Sequence, residues 1–317
     1  MGIIVNHIKP YHIMFNGVEA TLYHNGIKIW PEGPSVPNYT MRLKYRDNVT
    51  PTFLAGTATQ VSSSPNVWDL YYNNNTWRGL LNGHSDLLEV MDANISAVTN
   101  TENTFRYCTA LTSVCELNTI NVTTTQNMFE SATSLLNAPV MNMSNVTSMS
   151  GMFHECRAMT SVPLYDTHMV TDIRFAFQGC SALPTVPLFD FSKVVLARNA
   201  FCLCTSLSSA PDFNLTAARN IALMFDSCSN LKKVPALTLG AVATNPYWDG
   251  GSYAPMQYTF NGCRQVTGGA LSLYRYATGI GVQDSNGIDC FLGCGYDTTQ
   301  GRAELNQIPR IWGGELV

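Results

Sequence analysis

Six phenylalanines constrain this chain more than anything else in it. Phe105, Phe129, Phe153, Phe177, Phe201 and Phe225 recur at a constant spacing of 24 residues. A cysteine follows three positions after five of them (Cys108, Cys156, Cys180, Cys204, Cys228), and Ala132 stands in the remaining unit. Leu111, Leu135, Met159, Leu183, Leu207 and Leu231 come six positions after each, and a proline comes ten after in every unit but the first, where Cys115 takes that place. A fixed period of this length marks one small unit repeated along a chain. Such a unit cannot bury its own apolar face, so it must bury it against its neighbours.

Within Met152–Phe175, the residues Met152, Phe153, Cys156 and Met159 fall at helical spacing. They predict a short amphipathic helix or 3-10 turn. Val162-Pro163 then carries the chain into a bend that cannot continue a helix. Val170 and Ile173 supply the next inward pair. Neighbouring coils are expected roughly 5 Å apart, the usual strand spacing. The cysteines allow three readings. A zinc site needs close pairs with matching partners, and the close pairs Cys202/Cys204 and Cys290/Cys294 have none. Disulfides between coils are geometrically conceivable. The reading the pattern favours is a ladder of small buried thiols, one per coil.

The unit Met152-Phe153…Cys156…Val162-Pro163…Asp166…Val170-Thr171…Ile173, and its neighbour Met128-Phe129…Pro139…Asn145-Val146-Thr147…Met149, resemble the leucine-rich-repeat-like units of BspA and Mycoplasma surface lipoproteins. The resemblance covers Trp77 to Cys294, and the later units depart from it where Val194-Val195 and Ala217-Ala218 replace the Val-Thr pair. It implies a mixed β fold with short helices: a right-handed-type leucine-rich-repeat-like solenoid of about eight coils, with Trp77 opening a degenerate first coil at a spacing of 28 from Phe105. It also implies adhesion or recognition rather than chemistry, on bacterial surfaces or in phage and prophage genomes.

The flanks divide the chain further. Residues 1–31 carry two Asn-Gly turn signals, Asn16-Gly17 and Asn25-Gly26, amid alternating apolar residues, which predicts two tight hairpins. Phe15-Asn16-Gly17-Val18-Glu19…Ile29-Trp30 is similar to hairpin modules near the ends of phage tail and virion proteins, which implies a docking module; an ordinary hairpin cap is the plainer reading. Residues 32–37 are a Pro-rich linker. Residues 38–76 read as a β cap with strands near 41–45, 57–61 and 67–72, closing an otherwise open end. Asn66-Val67-Trp68-Asp69-Leu70 is similar to the segment that precedes the repeats in phage-encoded relatives. Residues 77–294 are the repeat region and 295–317 a closing segment. The start, Met1-Gly2-Ile3-Ile4-Val5, reads as no signal peptide, and the lipobox cysteine of the lipoproteins is not there.

After Cys228 the period breaks, with Phe260/Cys263 and Phe291/Cys294 following at 35 and 31 residues. The insertions, 240–259 and 264–289, present Tyr247, Trp248, Tyr253, Tyr274 and Tyr276 as candidate receptor-binding aromatics, since exposed Tyr and Trp suit saccharide stacking or protein contact. Their alternative role is to fold back as a cap. The Asn-x-Ser/Thr sequons, such as Asn121-Val122-Thr123, are explained by the repeat's own use of Asn and Thr in turns.

The function classes narrow by exclusion. Net charge is −4 with 13% charged residues, which argues against a nucleic-acid partner. No apolar run approaches a membrane span. No catalytic motif appears, and six scattered histidines have no ligand spacing, so neither enzyme activity, metal nor cofactor is expected. Asp166 and Asp190 occupy equivalent positions in adjacent units, where turn capping explains them better than paired catalysis. The expectation is a phage virion protein of tail or fibre type, assembled in the host cytoplasm and acting outside it. It would dock to other virion proteins through residues 1–31 and bind a host cell-surface protein or polysaccharide without catalysis. Relatives of fibre type imply a homotrimer. The alternatives are a head or tail decoration protein and a bacterial surface adhesin.

Overall fold

Asn-Gly pairs punctuate the start of the chain. In the computed structural model, which describes Met14–Phe15, Val18–Glu19, Tyr23–His24, Ile27–Lys28 and residues 40–240, 242 and 253–315, four two-residue strands flank them. β1 (Met14–Phe15) pairs antiparallel with β2 (Val18–Glu19), and β3 (Tyr23–His24) with β4 (Ile27–Lys28). The chain divides into two units, Met1–Asn38 and Tyr39–Val317.

Strict alternation then builds the second unit's main sheet. In β5 (Met41–Tyr45), Met41, Leu43 and Tyr45 point into the core while Arg42 and Lys44 face outward, the two-residue period of a half-buried strand. β6 (Thr57–Ser63), β7 (Asn66–Tyr71), β8 (Leu87–Ala93) and β9 (Ser113–Val114) complete an open sheet of order β6-β7-β5-β8-β9. Arg42 forks onto Asp69 at 2.7 and 2.9 Å between paired strands. All pairings are antiparallel until β8 meets β9 in parallel, Glu89 opposite Ser113 and Val90 opposite Val114. Leu87 and Val90 are buried in the core from β8, which hydrogen-bonds to β5.

From β9 onward regular strand nearly disappears. Isolated parallel bridges join Thr76 to Asn100, Asn100 to Thr124, Thr124 to Ser148, Ser148 to Asp172, Asp172 to Leu196 and Leu196 to Asn220. A second series includes Leu117 to Met141, Asn137 to Ser161 and Thr185 to Ser209. Only β10 (Phe213–Leu215) and β11 (Leu237–Leu239) extend such a bridge to three residues. The expected solenoid of leucine-rich-repeat type is therefore corrected. Among the described residues, strand is gathered in one open five-stranded sheet and small two-stranded ones, helices are few, and no continuous sheet runs through the units.

The helix or 3-10 turn expected around each Phe is corrected as well. Around Phe105, Asn103 and Tyr107 have φ of 56° and 59°; around Phe129, Asn127 and Ser131 have 51° and 59°. These left-handed residues cannot sit in a right-handed helix, whose φ is near −63°. The hydrogen bonds supply the reason. Asn103, Phe105 and Tyr107 donate their amides to Gln126, Met128 and Glu130 of the following unit at 3.0, 2.8 and 2.8 Å, while Thr104, Arg106 and Cys108 close local turns onto Thr101, Asn103 and Phe105. Alternate amides thus leave the chain segment sideways. The same set begins at Gly79, Leu81 and Gly83, which donate to Glu102, Thr104 and Arg106. Leu81, 24 residues before Phe105, is therefore the first marker residue rather than Trp77.

The rings form the core. Phe105, Phe129, Phe153, Phe177, Phe201, Phe225, Phe260 and Phe291 stack successively with centroids 5.2 to 6.0 Å apart, and Trp312 closes the stack at 6.4 Å from Phe291. The insertions after Cys228 leave this register intact. The second insertion folds as helix α1 (Ala270–Gly279), and α2 (Thr299–Leu305) follows, its N-terminus capped by Thr298.

The cysteines are free and, except for Cys115, buried. Each thiol of Cys108, Cys156, Cys180, Cys204, Cys228 and Cys263 lies 3.1 Å from the marker carbonyl of the preceding unit (Leu81, Phe129, Phe153, Phe177, Phe201 and Phe225). A serine-sized donor fits this position inside an apolar core, and Cys supplies it with little polarity. Burial pushes the Cys108 thiol up to about 12, so it stays protonated and able to donate. Replacing Cys156 with alanine is expected to cost about 1–2 kcal/mol, from lost buried volume and a lost donor. Urea unfolding of the variant measures this, and an unchanged midpoint would show that the thiol only fills space already well tolerated as alanine at Ala132.

Candidate interaction surface

Buried Tyr165 sets the outward faces around it. Val162 and Tyr165 point inward, so Ser161, Leu164 and Asp166 are left outside. The same arrangement recurs in neighbouring units and produces three exposed columns. The middle one holds Glu116, Val140, Leu164, Leu188, Asp212 and Ala236. Beside it run Ser113, Asn137, Ser161, Thr185, Ser209 and Lys233 on one side, and Asn118, Asn142, Asp166, Asp190, Asn214 and Thr238 on the other. Val140, Leu164 and Leu188 are 55%, 70% and 63% exposed. Single exposed leucines need no explanation, but three aligned in consecutive units inside a polar rim form a patch of the kind that binds other molecules.

Five of the six residues in the column that starts at Asn118 are held by capping their own turns. Asn118, Asn142, Asp166, Asp190 and Asn214 accept from the amide two residues on, at 3.0 to 3.4 Å. The His168 imidazole, 2.7 Å from Asp166 Oδ1, holds that carboxyl below the usual range, and the Ser192 hydroxyl and amide do the same for Asp190. Both are therefore ionised.

The face ends in a groove of about 540 Å³ between α1 and β11. Val234, Pro235, Ala236, Leu237, Leu273 and Tyr276 form most of its wall, with Lys233 at the rim. Tyr276 is anchored, its hydroxyl 3.2 Å from both the amide and the carbonyl of Leu239.

The other expected aromatics are scattered. Tyr247 and Trp248 lie outside the described residues. Tyr253 packs edge-on against Tyr258 at 6.1 Å. Tyr274 packs edge-on against Trp312 at 5.3 Å and against the core. Tyr274 and Tyr276 share helix α1, where Ala270, Leu273 and Ala277 make the buried stripe. Of the three described candidates, the structure brings only Tyr276 to the exposed face. Phe105, Phe129, Phe153, Phe177, Phe201 and Phe225, with Cys108, Cys156, Cys180, Cys204 and Cys228, are all buried.

Sequence reasoning passed over Val140, Leu164 and Leu188, although each directly follows the unit's proline. The signal was alternation around Tyr165 and Phe189. A second, smaller cleft of about 240 Å³ lies beside Tyr45 and His84. The Tyr45 hydroxyl and His84 Nδ1 share a 2.6 Å hydrogen bond beneath Phe53, and burial lowers the histidine and raises the phenol. A protonated phenol and a neutral imidazole fit a clasp between β5 and the turn before β8. Among the described residues no cluster of three His, Cys, Asp or Glu could hold a metal, and no helix is long and apolar enough to cross a membrane.

A family model described as "Mycoplasma protein of unknown function, DUF285" matches residues 78–185 and again residues 137–238, together just over half of the chain. No curated protein and no solved structure matches it.

Proposed function

We propose a recognition function, and the premise is membership: the chain belongs to the family of Mycoplasma proteins of unknown function, DUF285, at the coarse level of BspA-like surface proteins. The protein binds a partner on a cell surface without chemical turnover. The observation that carries this is the exposed column Val140, Leu164 and Leu188 between two polar columns. Apolar side chains held this far out of the core serve no folding purpose, and an ordered apolar centre with a polar rim is the anatomy of a protein interface. The partner is a surface protein, because the centre of the face is aliphatic, built from Val140, Leu164 and Leu188, and an aliphatic centre inside a polar rim suits a protein contact.

The setting we propose is a phage virion of tail or fibre type, with residues 1–31 docking to other virion proteins. Its support is the pair of Asn-Gly hairpins and the resemblance of that segment to virion modules. Family membership favours a second setting, a bacterial surface adhesin. Antibody labelling of virions and of bacterial cells in the electron microscope separates the two.

Binding itself is tested with the fluorescently labelled chain and its host cells. The double variant Leu164→Asp/Leu188→Asp is expected to lose at least 10-fold in cell binding. Its melting temperature should hardly move, since surface changes of this kind usually fall within about 0.5 kcal/mol. Undiminished binding by a folded double variant overturns the assignment of this face.

A further inference from the structure

The spacing and charge of the same face restrict what can lie on it. Glu116 stands at one end of the apolar column and Asp212 at the other, and Asp166 and Asp190 run alongside. Glu116, Asp190 and Asp212 make no ion pair within 4.0 Å among the described residues, and Asp166 meets only His168. Against these four acids the three columns hold one base, Lys233. A second copy of the chain laid antiparallel on this face would set Glu116 against Asp212, acid on acid. The face therefore selects a partner that is apolar in the middle and basic at both ends.

Spacing selects its conformation. Bridged units lie about 4.8 Å apart, so Val140, Leu164 and Leu188 span about 10 Å in two steps. An α-helix returns a side chain to the same face about every 5.4 Å and drifts by only about 1 Å over those two steps. An extended strand does so about every 6.7 Å and drifts by about 4 Å, nearly a whole unit. From Glu116 to Asp212 is about 19 Å, the length of a helix of about 13 residues.

The geometry points to an amphipathic helix as the ligand of this face, with apolar residues at i, i+4 and i+7 over Val140, Leu164 and Leu188 and Lys or Arg one turn beyond each end, opposite Glu116 and Asp212. This inference rests on the recognition function proposed above and names its partner class. The helix lies along the column, across the direction of the chain segments beneath it. Its basic ends raise the association rate and fix its placement, and its apolar residues supply the contact.

The test uses the full chain and a panel of side-chain-stapled helical peptides, read by fluorescence anisotropy. The lead probe has leucines at i, i+4 and i+7 and lysines one turn beyond both ends. The controls have glutamates in place of the lysines, or leucines at alternate positions in an unstapled, strand-favouring peptide. The lead probe is expected to bind at least 10-fold more tightly than either control, and to weaken at least 10-fold on Leu164→Ser/Leu188→Ser. The double reversal Glu116→Lys/Asp212→Lys should invert the preference, so that the glutamate-ended peptide binds better. Equal binding of the alternating peptide, indifference to the end charges, or no binding by any probe overturns the helix. Those outcomes leave the recognition reading standing if cell binding still depends on Leu164 and Leu188. Cell binding indifferent to both leucines overturns that reading instead.

Discussion

Phe153→Ala is expected to destabilise the protein by about 3–5 kcal/mol, the range for removing a fully buried phenylalanine. Phe153 is completely buried, between Phe129 at 5.5 Å and Phe177 at 5.6 Å. The backbone bonds at this residue do not depend on its ring: its amide donates to Ala176 O at 2.8 Å, and its carbonyl receives the Cys180 thiol at 3.1 Å. The loss therefore comes from apolar transfer, the cavity left behind and two ring contacts, each worth about 0.5–1.5 kcal/mol beyond burial. For a chain of this size it corresponds to a fall in Tm of about 5–8 °C. Thermal and urea unfolding give the value, with Leu164→Ala as the exposed control, expected within about 0.5 kcal/mol of the parent. A loss below about 1 kcal/mol for Phe153→Ala would mean that the stacked rings do not form the stabilising core.

Trp312→Ala should have an effect of similar size, about 3–5 kcal/mol, but placed at one end. Trp312 covers the last ring of the stack, Phe291, meets Tyr274 edge-on, and donates its indole N–H to Asp284 Oδ1 at 2.7 Å. Its carbonyl accepts the Phe291 amide at 2.9 Å. Each ring touches chiefly its neighbours, so damage at the end spreads inward unit by unit instead of melting the whole at once. Hydrogen exchange is expected to quicken first at Asp289 and Phe291, while Phe105 and Phe129 keep their protection. The conservative Trp312→Phe keeps a ring over Phe291 and returns the exposed Asp284 carboxylate to water, and should cost about 1 kcal/mol. Uniform loss of protection along the chain in Trp312→Ala would show one cooperative unit with no role for the end.

Much of the interior could be read before the structure. The marker phenylalanines and their cysteines lie buried where their spacing places them, because a residue recurring at one position of each unit meets its own equivalents when the units stack. Leu81 went unread because a leucine at that position does not advertise the pattern and Trp77 nearby does. The helix that carries Tyr274 and Tyr276 went unread for a comparable reason. Ala270, Leu273 and Ala277 already spell a helical stripe, and the two tyrosines drew attention from it. Of the exposed face, the pieces were visible as Pro139-Val140, Pro163-Leu164 and Pro187-Leu188, but their alignment needs three units side by side.

The sequence alone determined which residues are equivalent and therefore which rings and thiols meet, since a constant spacing is a property of the chain whatever its backbone does. It also determined the Asn and Asp turns, because those side chains cap an amide two residues away without outside help. The backbone path between markers was decided by tertiary structure. Met152, Phe153, Cys156 and Met159 satisfy a helical pattern, yet Gly151 and Glu155 are left-handed, at φ of 62° for both, and the amides of Gly151, Phe153 and Glu155 go to Arg174, Ala176 and Gln178 of the next unit. A helix would keep those hydrogen bonds within the segment. A neighbouring unit offers carbonyls at the right height on one side and a ring to stack on, and that combination outweighs local preference.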